Sequence, residues 1–507
     1  MRNSRLSTLW LAAPLLLSAC ALSRPPGQVA SPAPAQWNAP LPGAGPVHGA
    51  SLPSLAEWWR QLDDPLLVEL IDAAQAASPT IASAAARIAE ARATRVAAGA
   101  ALLPSLDGTL SATRGNSAFG TSPVATPTGT TGSTGAAGSA LGASSLTTPI
   151  TTVQAGLQSR WEIDLFGRLR ADRDAAGARQ TGAEAKWHDA RVSVAAETAN
   201  AYFGERACEE QLAVAESDTR SRSETARLTD LSARAGFTAP ADAALARAGA
   251  SDASARLTQQ RAQCAVLRKG LVAMTGLDEP ALQARLATAP LQRALPAVHA
   301  IASVPAEALT QRPDVYAAEQ AVAAASADVG SAEAERYPKL TLSGSIGRMQ
   351  FRTGGFSESL ESWSVGPVSL TLPLLDGGAR TANTDAARAR YDEAVALYRS
   401  NVRQAVREVE EALVNLQATD ARSGDADAAV QNYQASFNAT QARYDSGLAS
   451  LFELEDARRT LFAAQTSRVS LQRERAEAWV SLYRAMGGGW SRPGAVAATS
   501  SSAATSP

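Results

Sequence analysis

Landmark residues recur at nearly constant distances along this 507-residue chain, so its fold must accommodate two similar halves. The matching prolines lie 234 positions apart and the matching glycines 210 or 211 apart, as in Pro79/Pro313, Pro104/Pro338, Gly167/Gly377 and Gly236/Gly447. The two offsets differ because the first half carries a tract over 115–150 that is rich in Gly, Ser and Thr and is typical of a loop. The pattern predicts an internal duplication, with repeats over 54–290 and 291–490.

Each half contains two segments in which apolar and polar residues alternate, which is the period of a β-strand. We predict strands at about 105–115, 152–164, 339–351 and 363–375. In the second segment, Val153, Leu157 and Trp161 share one face, and polar residues fill most of the other. Each segment has about the length of a tilted membrane-spanning strand, although a soluble sheet with one wet face shows the same period.

Four strands cannot close a barrel on their own. In hydrocarbon every backbone N–H and C=O group must be paired, so an open sheet edge is not tolerated there. After the first twenty residues the sequence offers no run of about 18 apolar residues that could form a membrane-spanning helix. If the chain crosses a membrane, it must therefore do so with strands that pair with those of other copies.

Two very long helices are predicted from Gly167 to Gly236 and from Gly377 to Gly447, each on the order of 100 Å long at 1.5 Å per residue. The glycines at 236 and 447 lie where these helices should reverse into hairpins, because glycine readily adopts the left-handed conformation that ends a helix. In the second helix, apolar residues at a mean spacing of 3.5 predict a coiled-coil seam, and a surface helix with one buried stripe is the alternative. They are Val395, Tyr398, Val402, Val406, Val409, Leu413 and Leu416.

Two cysteines support the first hairpin. Cys208 lies 28 residues before Gly236, and Cys264 lies 28 residues after it. Antiparallel helices joined at Gly236 would bring both to the same height, and an oxidising compartment would allow a Cys208–Cys264 disulfide. Two unrelated buried thiols are the alternative.

The N-terminus has the pattern of a secretory signal. Arg2 and Arg5 precede a short apolar run, and small residues then lead to Cys20 in the sequence LLLSAC. This resembles bacterial lipoprotein signals, which implies removal of residues 1–19 and attachment of diacylglycerol and an N-acyl chain such as palmitate to Cys20. An ordinary signal peptide with an incidental cysteine is the alternative. Ala21, in place of the Asp that retains lipoproteins at the inner membrane, implies sorting to the outer membrane.

The tracts that flank the repeats predict disorder. Residues 20–53 are rich in Pro, Ala and Gly and indicate a flexible tether from the lipid, and residues 491–507 form a Ser/Ala-rich tail.

Composition argues against several functional classes. The net charge of −2 gives no electrostatic footprint for nucleic acid. His48, His188 and His299 are scattered, and no spacing suggests metal ligands or a catalytic constellation. We therefore expect no enzyme activity, no metal and no cofactor other than the covalent lipid.

Several segments together resemble the TolC-like outer-membrane efflux factors, in particular their lipoprotein branch of the NodT/OprM type found with RND pumps. The resemblance runs from about Glu57 to Trp490. The matching segments are EWWRQLDDPLL (57–67), WEIDLFGRLRA (161–171), QRPDVYAAEQAVAAASADVGSAEAERYPKLTLSG (311–344), LPLLDGGART (372–381), ARYDSGLASLFELEDARRTLF (442–462) and YRAMGGGW (483–490).

The resemblance implies an α+β, mainly helical fold that assembles as a homotrimer. Twelve strands, four from each chain, would form a barrel in the outer membrane, continuous with a periplasmic barrel of long helices. Such a trimer meets a periplasmic adaptor protein and an inner-membrane RND-type pump, and it is a passive exit for small molecules. The hairpin tips at Gly236 and Gly447 would dock the adaptor.

The resemblance also implies a periplasmic gate at Tyr444, Glu453 and Asp456. Glu453 replaces the usual aspartate, and Ala449 stands where some relatives carry an arginine that locks the closed form. Three copies of Glu453 and Asp456 would place six carboxylates around one axis and favour cations. An exposed acidic helix face is the plainer alternative.

Two other functions remain open. A duct for type I protein secretion would use the same architecture with a different inner-membrane partner. A structural lipoprotein with a periplasmic coiled coil would need no barrel, and the four alternating segments argue against it. The sequence does not name the cargo.

Overall fold

A computed structural model describes most of the two repeats. The described residues are 24–30, 34, 37–39, 59, 64–115, 149–289, 309, 311–353, 355–490 and 492. The predicted signal peptide and lipidation site, including Cys20, lie outside them.

The order helix, strand, strand, long helix and helix occurs twice among the described residues. The first half consists of α1 (Pro65–Ala77), α2 (Pro79–Ala100), β1 (Ser105–Gly115), β2 (Ile150–Ile163), α3 (Arg168–Arg234), α4 (Pro240–Thr275) and α5 (Glu279–Thr288). The second half consists of α6 (Pro313–Ala334), β3 (Lys339–Thr353), β4 (Phe356–Thr371), α7 (Ala379–Asp445) and α8 (Leu451–Ala485). The helices α3 and α7 both have 67 residues, and α2 and α6 both have 22, so corresponding elements match in length as well as in order.

The chain divides into two compact units, and neither of them coincides with a sequence repeat. The strand unit comprises Met1–Pro25, Ala93–Gly177 and Ala325–Arg390, and the helix unit comprises Pro26–Arg92, Ala178–Ala324 and Tyr391–Pro507. Each unit therefore contains parts of both halves. The reason is visible in the strand unit, where strands from the two halves pair with each other.

The four strands form one antiparallel sheet in the order β1-β2-β3-β4. The central pairing of β2 with β3 joins the two halves, with Leu157 opposite Ile346. Within the described residues, β1 and β4 each have one edge that no strand pairs. The fourth strand was predicted at 363–375, but it begins at Phe356 and ends at Thr371. It stops there because Pro373, two residues later, has no N–H to donate to a strand ladder.

One face of this sheet carries the apolar residues of all four strands. The register places Leu110 beside Ala155, Leu342 beside Trp161, and Ile346 beside Trp363. These side chains are not covered, since Leu110 is 79 % exposed and Trp363 is 78 % exposed. The sheet thus presents a continuous apolar surface.

The helix unit contains the largest buried core, which includes Tyr202, Leu271, Leu413 and Val480. The apolar residues of the predicted α7 seam are at least partly covered, as they would also be on a surface helix with one buried stripe. Val402, Val409, Leu413 and Leu416 are buried, and Val395, Tyr398 and Val406 are half-buried. Prolines stand at the first position of α1, α2, α4 and α6, where the missing N–H costs no hydrogen bond.

The long helices run without a break. Gly204 lies inside α3 and the Ser423–Gly424 pair lies inside α7, and neither interrupts its helix. Among the residues that the structure describes, no helix combines the length and the hydropathy needed to cross a bilayer.

The prediction of a flexible tether over 20–53 is wrong for the described residues of that segment. In the strand unit, Arg24 pairs with Asp174 at 3.4 Å, and the Pro25 carbonyl accepts a hydrogen bond from Ser326. In the helix unit, the backbone N–H groups of Asn38 and Ala39 donate to the Glu410 carboxylate at 2.7 and 2.5 Å. Composition missed this because, apart from the Arg24 ion pair, these contacts use backbone N–H and C=O groups, whose presence composition does not reveal.

The predicted disordered tail also contains one docked residue. Arg492 pairs with Glu319 at 2.8 Å, and its guanidinium lies 4.7 Å from the centre of the Tyr316 ring. A cation stacked on an aromatic face is favourable, and this contact ties the residue to α6.

Candidate hairpin-tip site

The two predicted tips adopt the same turn. Gly236 has φ +81° and Gly447 has φ +74°, a left-handed conformation that an L side chain rarely adopts. Phe237 N–H donates to the Ser232 carbonyl, and Gly236 N–H donates to the Ala233 carbonyl. These are the two hydrogen bonds of a Schellman motif, which satisfies carbonyls at the end of a helix.

The second tip repeats the motif one hairpin later. Leu448 N–H donates to the Arg443 carbonyl, and Gly447 N–H donates to the Tyr444 carbonyl. The residue after each glycine is apolar and uncovered, because Phe237 is 87 % exposed and Leu448 is 72 % exposed. The tips therefore share a backbone geometry and each present one large apolar side chain.

Cys208 and Cys264 form a disulfide in the structure. Their Cα atoms lie 5.5 Å apart, and the bond joins α3 to α4 as the equal spacing from Gly236 predicts. Cross-linking two residues 56 positions apart stabilises a fold mainly by restricting the unfolded chain.

The three predicted gate residues divide into two groups. Tyr444 is half-buried near the end of α7, and its hydroxyl lies 3.1 Å from the Thr229 hydroxyl of α3. Its ring packs against a small apolar cluster that contains Ala226, Ala246 and Leu451. Tyr444 thus connects the second hairpin to the first within one protomer.

Glu453 and Asp456 are exposed, and each contacts an arginine. Glu453 forms a capping box with Ser450 at the start of α8, and it also lies 3.5 Å from Arg443. Asp456 pairs with Arg459. Both carboxylates therefore have basic partners within the protomer, which the prediction of an acidic ring did not include.

A buried charged cluster lies close to these residues, and the sequence analysis missed it. We call it the arginine cluster and define it as Asp218, Arg222, Thr225, Glu455 and Arg458. Arg222 pairs with Asp218 at 3.0 Å and also with Glu455, which in turn pairs with Arg458. The Arg458 guanidinium donates to the Thr225 hydroxyl at 3.0 Å and lies 5.6 Å from the Phe437 ring centre.

The arginine cluster joins α3 to α8 through charged side chains that are largely shielded from solvent. Arg458 is only 3 % exposed. Burial lowers the pKa of its guanidinium, and the Glu455 carboxylate opposes that shift. The sequence did hold a signal, because Leu451, Leu454, Arg458 and Leu461 follow one another at steps of three, four and three and so share the buried face of α8.

A second buried acid lies next to the disulfide. Glu205 on α3 is completely buried, and among the described residues neither of its carboxylate oxygens has a hydrogen-bond partner. Arg268 of α4 lies 3.6 Å from Glu205 and 2.6 Å from Glu209. Burial, followed by the nearby Glu209 charge, raises the pKa of Glu205 to about 7, although Arg206 and Arg268 oppose the shift.

No group of three His, Cys, Asp or Glu side chains that could hold a metal ion occurs among the described residues. His188 stacks at an angle against Trp187 and Trp490, with ring centres 4.9 and 6.1 Å away. His48 and His299 lie outside the described residues.

Comparison with known proteins gives concordant matches. The family model described as outer membrane efflux protein matches residues 70–277 and 304–488. The solvent efflux pump outer membrane protein SrpC of Pseudomonas putida is 29 % identical over 491 residues, covering 94 % of this chain and 97 % of that protein. The pyoverdine export outer membrane protein OpmQ of P. putida is 30 % identical over 490 residues, with 94 % and 96 % covered.

Solved structures agree with this likeness. The outer membrane protein VceC from Vibrio cholerae superposes with a TM-score of 0.72 at 26 % identity, covering 86 % of this chain and 99 % of that chain. The similarity therefore extends over both the strand-bearing and the helical parts of the sequence.

Proposed function

Because the chain belongs to the outer membrane efflux protein family, we propose that three copies of it form the exit duct of a tripartite efflux pump. Family membership makes it an outer-membrane component of an efflux system, and members of this family are channel proteins. The trimer, the closed barrel and the partners are our proposal.

The observation that carries the proposal is the open four-stranded sheet with an uncovered apolar face. Trp363 and Val365 on this face are 78 % and 83 % exposed, which water does not favour. In a bilayer the apolar face meets lipid, but the unpaired edges of β1 and β4 would each leave a row of backbone groups without partners. Pairing β4 of one copy with β1 of the next removes both edges, and three copies give twelve strands.

The long helical hairpins would extend from this barrel into the periplasm. We propose that their tips at Gly236 and Gly447 dock the periplasmic adaptor, with Phe237 and Leu448 as apolar contacts. The adaptor in turn connects the duct to an RND-type inner-membrane pump, which supplies the energy. The acylated Cys20 would hold each chain to the outer membrane from the periplasmic side.

The cargo we propose is a class of small organic molecules. The two relatives described above are named for solvents and for pyoverdine, both of which are small molecules. That similarity favours an efflux duct over the protein-secretion duct that shares its architecture.

We further propose that the tips form the resting gate of the duct. Tyr444 holds the second hairpin to the first through Thr229, and the arginine cluster adds a second link between α3 and α8, about one to three helical turns along α3 from Thr229. Opening would require the two hairpins to separate, so these contacts oppose it. Glu453 and Asp456 would then line the entrance.

The proposal is tested on the purified, full-length lipoprotein. We expect a trimer that survives mild detergent electrophoresis, dissociates on heating, and conducts ions when reconstituted in planar bilayers. Deleting the gene should raise the sensitivity of the cells to the cargo of the co-encoded pump. A monomer that inserts no conductance into bilayers would contradict the proposal and favour a structural lipoprotein.

A further inference from the structure

The two faces of the sheet exchange their polarity near the β3–β4 hairpin. Over most of its height, one face is apolar and the other carries polar residues such as Thr109, Gln158 and Ser345. Toward the hairpin the formerly apolar face becomes charged, with Arg348 opposite Glu361 and Arg352 opposite Ser357. At the same level the formerly polar face gains several large apolar residues, although Thr152 and Glu358 also lie on it.

Five large apolar residues lie on this part of the polar face, around Glu358, and we call these five the collar. They are Ile150, Met349, Phe351, Phe356 and Leu360. The strand register places them together, because Met349 lies directly opposite Leu360, and Phe351 lies opposite Glu358 on one side and Thr152 on the other.

The collar is not covered by other described parts of the strand unit. Leu360 is 58 % exposed and Phe356 is 59 % exposed, while Met349 and Phe351 are half-buried among their neighbours on the sheet. An exposed apolar cluster of this size on an otherwise polar face is unusual and indicates a functional surface.

The charges on the opposite face fix the level of the collar relative to a bilayer. Arginine and glutamate side chains are costly in hydrocarbon, so the level of Arg348, Arg352 and Glu361 must lie beyond the apolar core of the membrane. The collar therefore lies at the outer mouth of the barrel, since the opposite end of each strand leads toward the helices.

We propose that the three collars of a trimer form a largely apolar ring at the extracellular mouth of the duct, interrupted by one Glu358 per chain, which selects for weakly hydrated, lipophilic molecules over hydrated ions. The inference rests on the proposed function, because only a closed barrel turns this face toward a lumen. A hydrophobic constriction excludes ions because they would have to shed water there, whereas an uncharged organic molecule loses little.

The ring would also resist return of hydrophilic solutes from outside the cell. Phe351 and Leu360 of each copy project from neighbouring strands, so three copies place six bulky side chains around one axis in addition to those of Met349. Twelve strands enclose a lumen between the filled eight-stranded and the aqueous sixteen-stranded barrels, a size in which such side chains narrow the path appreciably.

The test measures access from outside to a thiol below the collar, so that a closed periplasmic gate does not affect the result. Ser345→Cys places the thiol on the polar face of β3, four residues nearer the helices than Met349. Cys208 and Cys264 are disulfide-bonded, which leaves the introduced cysteine as the reactive thiol once Cys20 is acylated. Intact cells are treated with a cationic trimethylammonium methanethiosulfonate or with an uncharged benzyl methanethiosulfonate.

We expect slow labelling by the cationic reagent and faster labelling by the uncharged one. Adding Phe351→Ser and Leu360→Ser should raise the cationic rate at least fivefold and change the uncharged rate less than twofold. The matched control, Phe351→Leu with Leu360→Met, keeps the ring apolar and should keep the cationic rate low. Trimer electrophoresis verifies that each variant assembles.

Two results would overturn the ring. If both reagents label at rates that the serine substitutions do not change, the lumen exists but the collar does not select, and the proposed function survives. If neither reagent labels Ser345→Cys in any variant, this face lines no lumen, and the proposed function fails together with the ring.

Discussion

The strand unit and the helix unit differ in which side chains they expose and which they bury. In the strand unit the large apolar side chains are uncovered, with Leu110 at 79 % and Val365 at 83 % exposure. In the helix unit charged side chains are buried, with Glu205 at 0 % and Arg458 at 3 %. A water-soluble monomer would show the reverse in both places.

The difference indicates what completes each unit. The apolar face of the sheet is stabilised when lipid covers it, and its edges are stabilised when further strands pair with them. Both come from outside the protomer. The helix unit instead uses buried polar contacts inside the protomer to fix how α3, α4 and α8 pack. Polar contacts of this kind define a geometry more than they add stability, because desolvation offsets much of their attraction.

The largest effect is expected from a charge on the apolar face of the sheet, which tests whether that face contacts lipid. Val365→Arg should prevent assembly in the outer membrane, because a lipid-facing arginine near mid-membrane costs about 2–4 kcal/mol per chain, and a trimer carries three. The measurement is the amount of heat-labile trimer in outer-membrane fractions.

Its matched control is the neighbouring residue on the other face. Ser364→Arg points to the polar side of the same strand, where an arginine remains hydrated in a lumen. It should leave the amount of trimer within about twofold of the wild type. Equal losses in both variants would show that the two faces do not differ, and the lipid-facing assignment would be wrong.

The strands of the sheet could be predicted because the alternation of apolar and polar residues is visible along each segment of the sequence by itself. Alternation over Val153, Leu157 and Trp161 identifies a strand and its apolar face without knowledge of its neighbours. The start of β4 was placed seven residues too late, because Ser357, Glu358 and Glu361 break the simple pattern where the faces exchange polarity. The same exchange hid the collar, since its meaning depends on which residues lie opposite each other.

A charge removed from the helix unit should have the next largest effect. Arg458→Ala removes one of the two positive partners of the half-buried Glu455 and the donor to Thr225, which should cost about 3 kcal/mol of protomer stability. Thermal unfolding of the detergent-solubilised protein, followed by circular dichroism, measures this loss. Arg458→Lys should recover part of it.

The exposed neighbour provides the comparison. The Arg459 side chain is 76 % exposed and pairs with Asp456, so Arg459→Ala should cost no more than about 1 kcal/mol. If both alanine variants unfold at the same temperature, the arginine cluster stabilises the packing of α3 on α8 no more than an exposed ion pair does.

Buried charges were the part of the site that was not predicted from the sequence, although the position of Arg458 on the apolar face of α8 was a signal for one of them. A charged residue in an amphipathic helix is usually on its wet face, so Arg458 and Glu205 were passed over. Gly236, Gly447 and the Cys208–Cys264 pair were found because chain geometry alone sets a turn and the heights on either side of it. Tyr444, Glu453 and Asp456 came from the resemblance, which does not include their partners in this protein.

A pH-dependent effect should follow from Glu205. Its pKa is raised to about 7 in the folded protein, above its ordinary value of 4.5, so the buried acid contributes stability below pH 4.5 and loses it as the pH rises through 7. Glu205→Gln keeps the shape and removes the charge. It should stabilise the protein by on the order of 1–3 kcal/mol at pH 8 and have little effect at pH 4.5.

The control for this prediction is an exposed acid on the same helix. The pKa of Glu224 is lowered by its hydrogen bond to Arg227, which is the opposite direction. Glu224→Gln should therefore give no gain in melting temperature at pH 8. A gain for Glu205→Gln that is equally large at pH 4.5 would argue that packing, rather than the charge, is responsible.

The smallest expected effect concerns the acids at the tips, because each of them already has a basic partner. Asp456 pairs with Arg459, and Glu453 lies beside Arg443, so the field of six carboxylates in a trimer is partly neutralised before any ion arrives. Asp456→Ala should lower the preference for K⁺ over Cl⁻ in planar bilayers by less than twofold, and adding Glu453→Ala should lower it further. Arg459→Ala should act in the opposite direction, since it exposes the Asp456 charge. If all three variants keep the ion selectivity of the wild type, Glu453 and Asp456 form only an exposed acidic helix face, and the entrance of the duct lies elsewhere.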